Sequence, residues 1–325
     1  MLNLDFISIG EIMIQLNSVT PGPLRYAKYF EAHVAGAEAN VMIGLSKLGF
    51  KTGIITRLGK DEFGEMIIRV LRGENVDTSC IRFMDEAPTG IYFIQRHYPL
   101  PGKSTVFYYR HGSAASYLNE EDVSEECVKR ARAIFLTGIT PALSVSSYNA
   151  SRKFYLLARD YKLDIIFDTN IRLKLWRSSE RAREGLKPFL DGVKILFTNK
   201  EDLEILFPGN DIKSATRILI DSGVEYVVVK MGEEGSKLFR RDGVELYEKA
   251  VEVHPVEDVI GAGDAFDAVF IGSIYRGLGI DKALRYANIA GALDVTVRGD
   301  IEAQPTWEVL ELAEKYIRER KEFLR

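Results

Sequence analysis

Asp258-Val259-Ile260-Gly261-Ala262-Gly263-Asp264-Ala265-Phe266-Asp267-Ala268 is the stretch on which the reading of this chain turns. Behind it, Ala265–Tyr275 is an apolar, small-residue run suited to a helix in the middle of a packed body. Ahead of it, Val251-Glu252-Val253-His254 alternates as a strand does, so the pattern predicts strand, glycine turn and helix N-terminus. The first N–H groups of a helix have no partner within it, and the helix dipole is positive there. Such a turn therefore offers three or four donors to an anion. Asp264, in the first helical turn, stands where a general base would take a proton from a hydroxyl while those donors hold a developing phosphoryl charge. The same residues equally suit a capped helix whose acid favours the dipole. G-x-G alone recurs by chance roughly once in 200 positions, and Phe266 occupies the place of the third glycine of a dinucleotide fingerprint.

Outward from this stretch, short β-rich runs alternate with helical periods. Phe6–Ile9, Thr52–Thr56, Ala133–Leu136, Ile165–Asp168, Ile195–Thr198 and Tyr226–Lys230 read as strands. Ala39–Leu48, Gly64–Arg72, Ser147–Tyr161, Lys200–Leu206 and Lys213–Ser222 read as helices, and the chain after Gly261 is mostly helical. That order predicts an α/β protein with a mostly parallel sheet covered on both faces. Residues 12–33 and 89–110 break the rhythm, as in Gly90-Ile91-Tyr92-Phe93-Ile94-Gln95 and Thr105-Val106-Phe107-Tyr108-Tyr109-Arg110. Their period of two suits half-exposed antiparallel strands. The expectation is a small β lid on a body made of 1–11, 34–88 and 111–325; two ordinary surface hairpins are the alternative.

With 325 residues, 46% of them apolar and 10% aromatic, the chain has material for a large core, which excludes wholesale disorder. Length alone allows two domains in series or one large domain with a lid. The 43 Lys+Arg against 47 Asp+Glu leave no basic field for nucleic acid or a membrane surface. Cys80 and Cys127 form no C-x-x-C, so unpaired thiols in a reducing compartment are the expectation, with neither disulfide nor zinc site. The start, Met1-Leu2-Asn3-Leu4-Asp5, lacks the basic region of a signal peptide, and no apolar run approaches the ~20 residues of a membrane span. Together these point to the cytoplasm. Gly102-Lys103-Ser104 is not a P-loop: position 97 is His97 where that motif needs glycine, and the segment reads as a hairpin tip.

Several segments together resemble one family. Ala35-Gly36-Ala37-Glu38-Ala39-Asn40, then Leu45 to Leu48-Gly49, then Arg57-Leu58-Gly59-Lys60-Asp61-Glu62-Phe63-Gly64 resemble the N-terminal signature of ribokinase-like, phosphofructokinase-B-type sugar kinases. The stretch quoted first resembles their C-terminal signature, and Asp168-Thr169-Asn170-Ile171-Arg172 and Thr198-Asn199-Lys200-Glu201-Asp202 match two intermediate elements in order. The resemblance spans almost the whole chain. It implies a Rossmann-like three-layer α/β/α body with a small β lid, and ATP-dependent phosphorylation of a sugar-type hydroxyl with Mg²⁺. It gives Asp264 the role of base and Gly261, Ala262 and Gly263 that of the phosphoryl-binding turn. Lys230, Gly232 and Gly235 of Lys230-Met231-Gly232-Glu233-Glu234-Gly235 resemble the nucleotide turn, although a plain β-turn would look the same. Asn170, Asn199 and Asn288 fall to the nucleotide, Asp202 to Mg²⁺ through water, and Asp258 to a monovalent cation.

Within the family, the details resemble 2-keto-3-deoxygluconate kinases. Gly36 and Asn40 match positions that contact substrate hydroxyls; Tyr92, Tyr108, Arg110, Arg172 and Asp300 complete the implied binding set. A keto acid carries a carboxylate, for which arginine offers a bidentate partner and tyrosine a wall with a hydroxyl. Met13 and Gln15 stand where ribokinases carry groups for ribose, and Asp202 stands where glutamate is usual. The expected reaction is phosphorylation of that acid, or its galactonate epimer, to the 6-phospho product. A fructokinase or nucleoside kinase of the same family, and a non-catalytic sugar-binding relative, are the alternatives. Uncovered lid edges and faces invite association, so a homo-oligomer is expected through the lid.

Overall fold

In four of the central strands, neighbouring residues are both buried and face opposite ways: Phe6 and Ile7, Ile134 and Phe135, Ile166 and Phe167, Leu196 and Phe197. A strand with two apolar faces must be covered on both, and the fold follows from that requirement. The structure is a computed structural model that describes residues 3–100 and 103–323. Met1, Leu2 and Gly102 of the segments discussed above lie outside the described residues.

Along the chain, β1 (Leu4–Ile9), β2 (Met13–Ser18) and β3 (Phe30–Ala35) precede α1 (Ala37–Lys47). Next come β4 (Thr52–Gly59), α2 (Glu62–Gly73), β5 (Val76–Asp77), β6 (Ile81–Met84), β7 (Gly90–Gln95) and β8 (Thr105–Tyr109). The short α3 (Glu125–Val128) leads to β9 (Ala131–Thr137), α4 (Val145–Asp160) and β10 (Asp164–Asp168). After α5 (Leu173–Trp176) and α6 (Ser179–Leu186) follow β11 (Ile195–Asn199), α7 (Lys200–Leu206), α8 (Ile212–Asp221) and β12 (Tyr226–Lys230). The hairpin β13 (Ser236–Arg240) and β14 (Glu245–Glu248) precedes α9 (Ala262–Tyr275), α10 (Ile280–Asp294) and α11 (Trp307–Phe323).

The main sheet has the order β14-β13-β12-β11-β10-β9-β1-β4-β5, with β6 continuing beside β4. From β12 to β4 every pairing is parallel, and β13 and β14 turn back antiparallel at one edge. One face is covered by α4, α6 and α8 through Phe154, Leu186 and Leu219. The other is covered by α1, α2, α9 and α10 through Val41, Ile67, Phe270 and Leu284. This is the three-layer α/β arrangement expected, and it sets the C-terminal ends of β1, β10, β11 and β12 along one rim, where open α/β sheets put ligands.

A second sheet of four strands has the order β3-β2-β7-β8. Its outer pairs are antiparallel, but the central pair β2–β7 is parallel, contrary to the all-antiparallel expectation. Both strands leave the body in the same direction, after β1 and after β6, and each then folds back on its own partner; alternation along a strand cannot reveal this.

Two further expectations are corrected. Val251–His254 forms no strand: the sheet edge ends at β14, and Val251 packs instead on a cluster containing Ala265, Val269 and Tyr286. Cys80 and Cys127 are joined by a disulfide, their Cα atoms 6.4 Å apart, within the range such a bond spans. Sequence spacing could not reveal it, because the turn before β6 and α3 come together only through the sheet. Among the described residues, no helix is long and apolar enough to cross a membrane.

Candidate active site

A cleft of about 680 Å³ opens between the two sheets and the start of α9. Gly261 caps α9 in the left-handed region (φ +90°), and a Cβ there would lie 2.9 Å from Asp294 Oδ2 and 3.0 Å from the Asp300 Cα. Only glycine fits. The Asp264 N–H returns to the Gly261 carbonyl at 2.9 Å, so the free donors are those of Gly261, Ala262 and Gly263, three rather than four.

Asp264 is buried, and its Oδ2 accepts a 2.7 Å hydrogen bond from Asn40 Nδ2. Asn40 sits one turn into α1, where its Oδ1 accepts from the Gly36 N–H at 3.2 Å; its Nδ2 also donates to Asp300 Oδ2 at 3.1 Å. The pairing therefore joins the two signature segments across 224 residues. Burial pushes the Asp264 carboxyl up to about 7; the Asn40 bond pulls it back and the Asp300 charge pushes it further. Asp300 is raised to about 6, again chiefly by burial, although it accepts from Asn40 and, at 2.7 Å, from Gln15 Nε2. Gln15 and Tyr92 also bond to each other, so this end of the cleft is a connected network. Asp294, just behind it, is raised to about 9 by burial and by repulsion from Asp300 and Asp264. Burial thus lifts all three carboxyls of this cluster toward the range a general base needs.

Tyr108, Arg110 and Arg172 line the same cleft. The Arg110 guanidinium lies over the Tyr108 ring, 5.3 Å from its centroid, and pairs with Glu11. Gly36 lines the wall at φ +152°, and a Cβ there would strike the Glu11 carbonyl at 2.3 Å. Asn170, Asn199, Lys230, Gly232 and Gly263 line the rest. Lys230, expected at the nucleotide turn, is bound on both sides, 3.0 Å from Asp168 and 2.9 Å from Asp267. Burial alone would lower its pKa, but the two carboxylates more than offset this and raise it. Its ammonium lies 3.5 Å from where a Cβ of Gly263 would stand, beside the donors of α9.

Five expected site residues, Ala262, Asp202, Asp258, Asn288 and Gly235, do not line the cleft. The Asp202 carboxylate accepts from Thr169 Oγ1 at 2.6 Å and from the Ile171 N–H at 3.0 Å, so it holds the 168–172 loop rather than facing a metal. Asp258 turns back onto the N–H groups of Val259 and Ile260. Asn288 donates to Ser236 Oγ and the Leu284 carbonyl, tying α10 to β13. Gly235 gives room to the Glu248 carbonyl, 2.1 Å from where its Cβ would be. Among the described residues, no group of three His, Cys, Asp or Glu side chains forms a metal cage. Sequence reading overlooked Glu11, Glu38, Asp267 and Asp294. All are buried acids, and the signal for Glu38 and Asp267 lay in view, as acids inside apolar signature helices.

Comparison with known proteins fits this geometry. Residues 3–307 match the pfkB family of carbohydrate kinases. A 2-dehydro-3-deoxygluconokinase of Thermoproteus tenax is 43% identical over 93% of this chain and 92% of its own length. One of Bacillus subtilis is 31% identical over 95% of each. The crystal structure of a putative ribokinase II from E. coli in complex with ATP and Mg²⁺ superposes with a TM-score of 0.89 at 25% identity, covering 96% of this chain and 99% of that one. With two signatures brought to one cleft and so long a match, this chain belongs to the pfkB family of carbohydrate kinases.

Proposed function

We propose that the protein transfers the γ-phosphoryl group of ATP to the 6-hydroxyl of a 2-keto-3-deoxy sugar acid, with 2-keto-3-deoxygluconate as the preferred acceptor. One observation carries the reading: a buried carboxylate poised near pH 7 beside the N-terminus of α9, in a cleft that also presents two arginines. With a neutral sugar Arg110 and Arg172 would have only the phosphates of ATP to meet; a keto acid also gives them a carboxylate. The names of the relatives from Thermoproteus tenax and Bacillus subtilis support the same acceptor.

In this mechanism Asp264 takes the proton from the attacking hydroxyl, and Asn40 holds the carboxylate in place from α1. The N–H groups of Gly261, Ala262 and Gly263 hold the transferring phosphoryl, each such donor worth about 2.7–4 kcal/mol of barrier. Asn170, Asn199 and Gly232 border the nucleotide, while Lys230, fixed by Asp168 and Asp267, adds positive charge at a set position. Asn199, whose Oδ1 caps α7 by accepting from the Asp202 N–H at 2.7 Å, lines the cleft and would border the water shell of a phosphate-bound Mg²⁺, which would supply charge neutralisation. Asp202 shapes the loop carrying Asn170 and Arg172. We assign Asp258 to the turn that would border a monovalent cation. The β2-β3-β7-β8 sheet, chain segments 12–33 and 89–110, acts as a lid that excludes water. Its outer face carries exposed Phe30, Phe107 and Tyr109 around the half-buried Phe93, which meets Phe30 and Tyr109 edge-on, and through this apolar row two copies associate. The place of action is the cytoplasm, where ATP is supplied.

The test is an ADP-release assay of the purified protein with 2-keto-3-deoxygluconate, its galactonate epimer, fructose, ribose and a nucleoside. Preference for the acids supports the reading. Preference for any acceptor without a carboxylate overturns it.

A further inference from the structure

Glu11 follows β1 at the rim of the main sheet, is 2% exposed, and has no part in the mechanism above. The chain makes room for it twice. A Cβ on Gly36 would meet the Glu11 carbonyl at 2.3 Å, and one on Gly90 would meet Glu11 Oε1 at 2.8 Å. Its carboxylate then has two partners. Oε1 accepts from Ser113 Oγ at 2.5 Å, and Oε2 pairs with Arg110 Nη2. Arg110 follows directly on β8, in the small sheet, whereas Glu11 belongs to the body, so the pair bridges the two.

The geometry of the arginine is what carries the inference. A guanidinium has more than one edge able to take a carboxylate. Glu11 Oε2 sits against Nη2 as an ion pair without hydrogen-bond geometry, Tyr108 lies under the plane, and Glu11 Oε2 and the Nε of Arg110 are both buried without a hydrogen bond. A buried N–H left unpaired costs free energy unless a ligand supplies the acceptor. The side chain also lines the cleft.

We propose that Glu11 is a positioning residue for specificity: by holding one end of the Arg110 fork, it presents the remaining donors to the carboxylate of the acceptor. This rests on the sugar-acid reading above. Without Glu11 the guanidinium is free to rotate over Tyr108 or to swing toward other acids such as Glu38, and the fork is no longer set before the substrate arrives. The loss falls on anionic acceptors alone, since neutral sugars do not use the fork.

Glu11→Gln and Ser113→Ala test this, with initial rates for the sugar acid, for a neutral ketohexose and for ATP. The expected result for Glu11→Gln is a KM for the acid raised about tenfold or more, with KM for ATP and kcat/KM for the ketohexose within twofold of wild type. Ser113→Ala, a one-hydroxyl change that loosens Glu11 without altering charge, gives a rise of about two- to threefold with the same selectivity. It carries the comparison if the first variant folds poorly. An unchanged or lowered KM for the acid overturns the role of Glu11, as does an equal loss on acid and ketohexose, which would mark a purely structural part. A wild-type enzyme that prefers the ketohexose refutes the substrate reading itself, and the role of Glu11 with it, before any variant is measured.

Discussion

Replacing Asp264 by asparagine should make the protein a far poorer kinase and a more stable one. The amide keeps an oxygen for the Asn40 Nδ2 bond, so geometry is retained while the proton acceptor is lost. Loss of a positioned base lowers turnover about 10²–10⁴-fold, about 2.7–5.4 kcal/mol of barrier at 1.36 kcal/mol per decade. Stability moves the other way. The ordinary aspartate value is 3.8 and the folded value is about 7. The stability kept by the neutral acid is therefore fully present below 3.8 and is lost as pH rises through 7. A shift of about three pH units corresponds to at most about 4 kcal/mol lost by the wild type above pH 7, and asparagine loses none of it. Urea unfolding at pH 4 and pH 8 should show the variant close to wild type at the lower pH and about 2–4 kcal/mol more stable at the higher. Turnover comes from ADP release with saturating ATP. A variant that keeps more than a tenth of wild-type turnover, or is no more stable at pH 8, refutes the assignment of a buried, strained base.

Three other outcomes follow from the same geometry. Arg110→Ala should raise KM for the sugar acid at least tenfold and leave KM for ATP within twofold, as read from initial rates with each substrate varied in turn. Gly261→Ala places a Cβ 2.9 Å from Asp294 Oδ2 at φ +90°, so the turn must shift; kcat should fall about 100-fold, the cost of misplacing one phosphoryl donor, with the fold retained by circular dichroism. Reduction of Cys80–Cys127 opens a link between residues 47 apart and should cost about 4 kcal/mol on the chain-entropy account, measured by urea unfolding with and without dithiothreitol. Turnover should not change, because neither cysteine lines the cleft.

The body of the fold was legible because its signals are local. Strands such as Ile195–Asn199 carry two apolar faces in sequence, and α2 shows a clear apolar stripe at Ile67, Ile68 and Leu71. Gly261-Ala262-Gly263-Asp264 announced its own helix N-terminus, and Asn40 meets Asp264 as two signatures that share a cleft must. What escaped depends on partners far along the chain. The β2–β7 pairing is parallel because of where the chain leaves the body, and Cys80 meets Cys127 only once the sheet is built. The carboxylates that hold Lys230, Asp168 and Asp267, lie 62 and 37 positions away and are invisible from its neighbourhood. Glu11 went unread for the same reason: a lone acid after a strand acquires meaning only from Arg110, Ser113 and the two glycines that admit it.

The most direct test of the whole account is kcat/KM of the wild-type protein for 2-keto-3-deoxygluconate against fructose and ribose, at saturating MgATP and pH 8, above the value of about 7 to which burial raises Asp264. The account predicts that the acid is preferred by at least 100-fold, with the phosphoryl group on the 6-hydroxyl of the product. Equal or better use of either neutral sugar would contradict it.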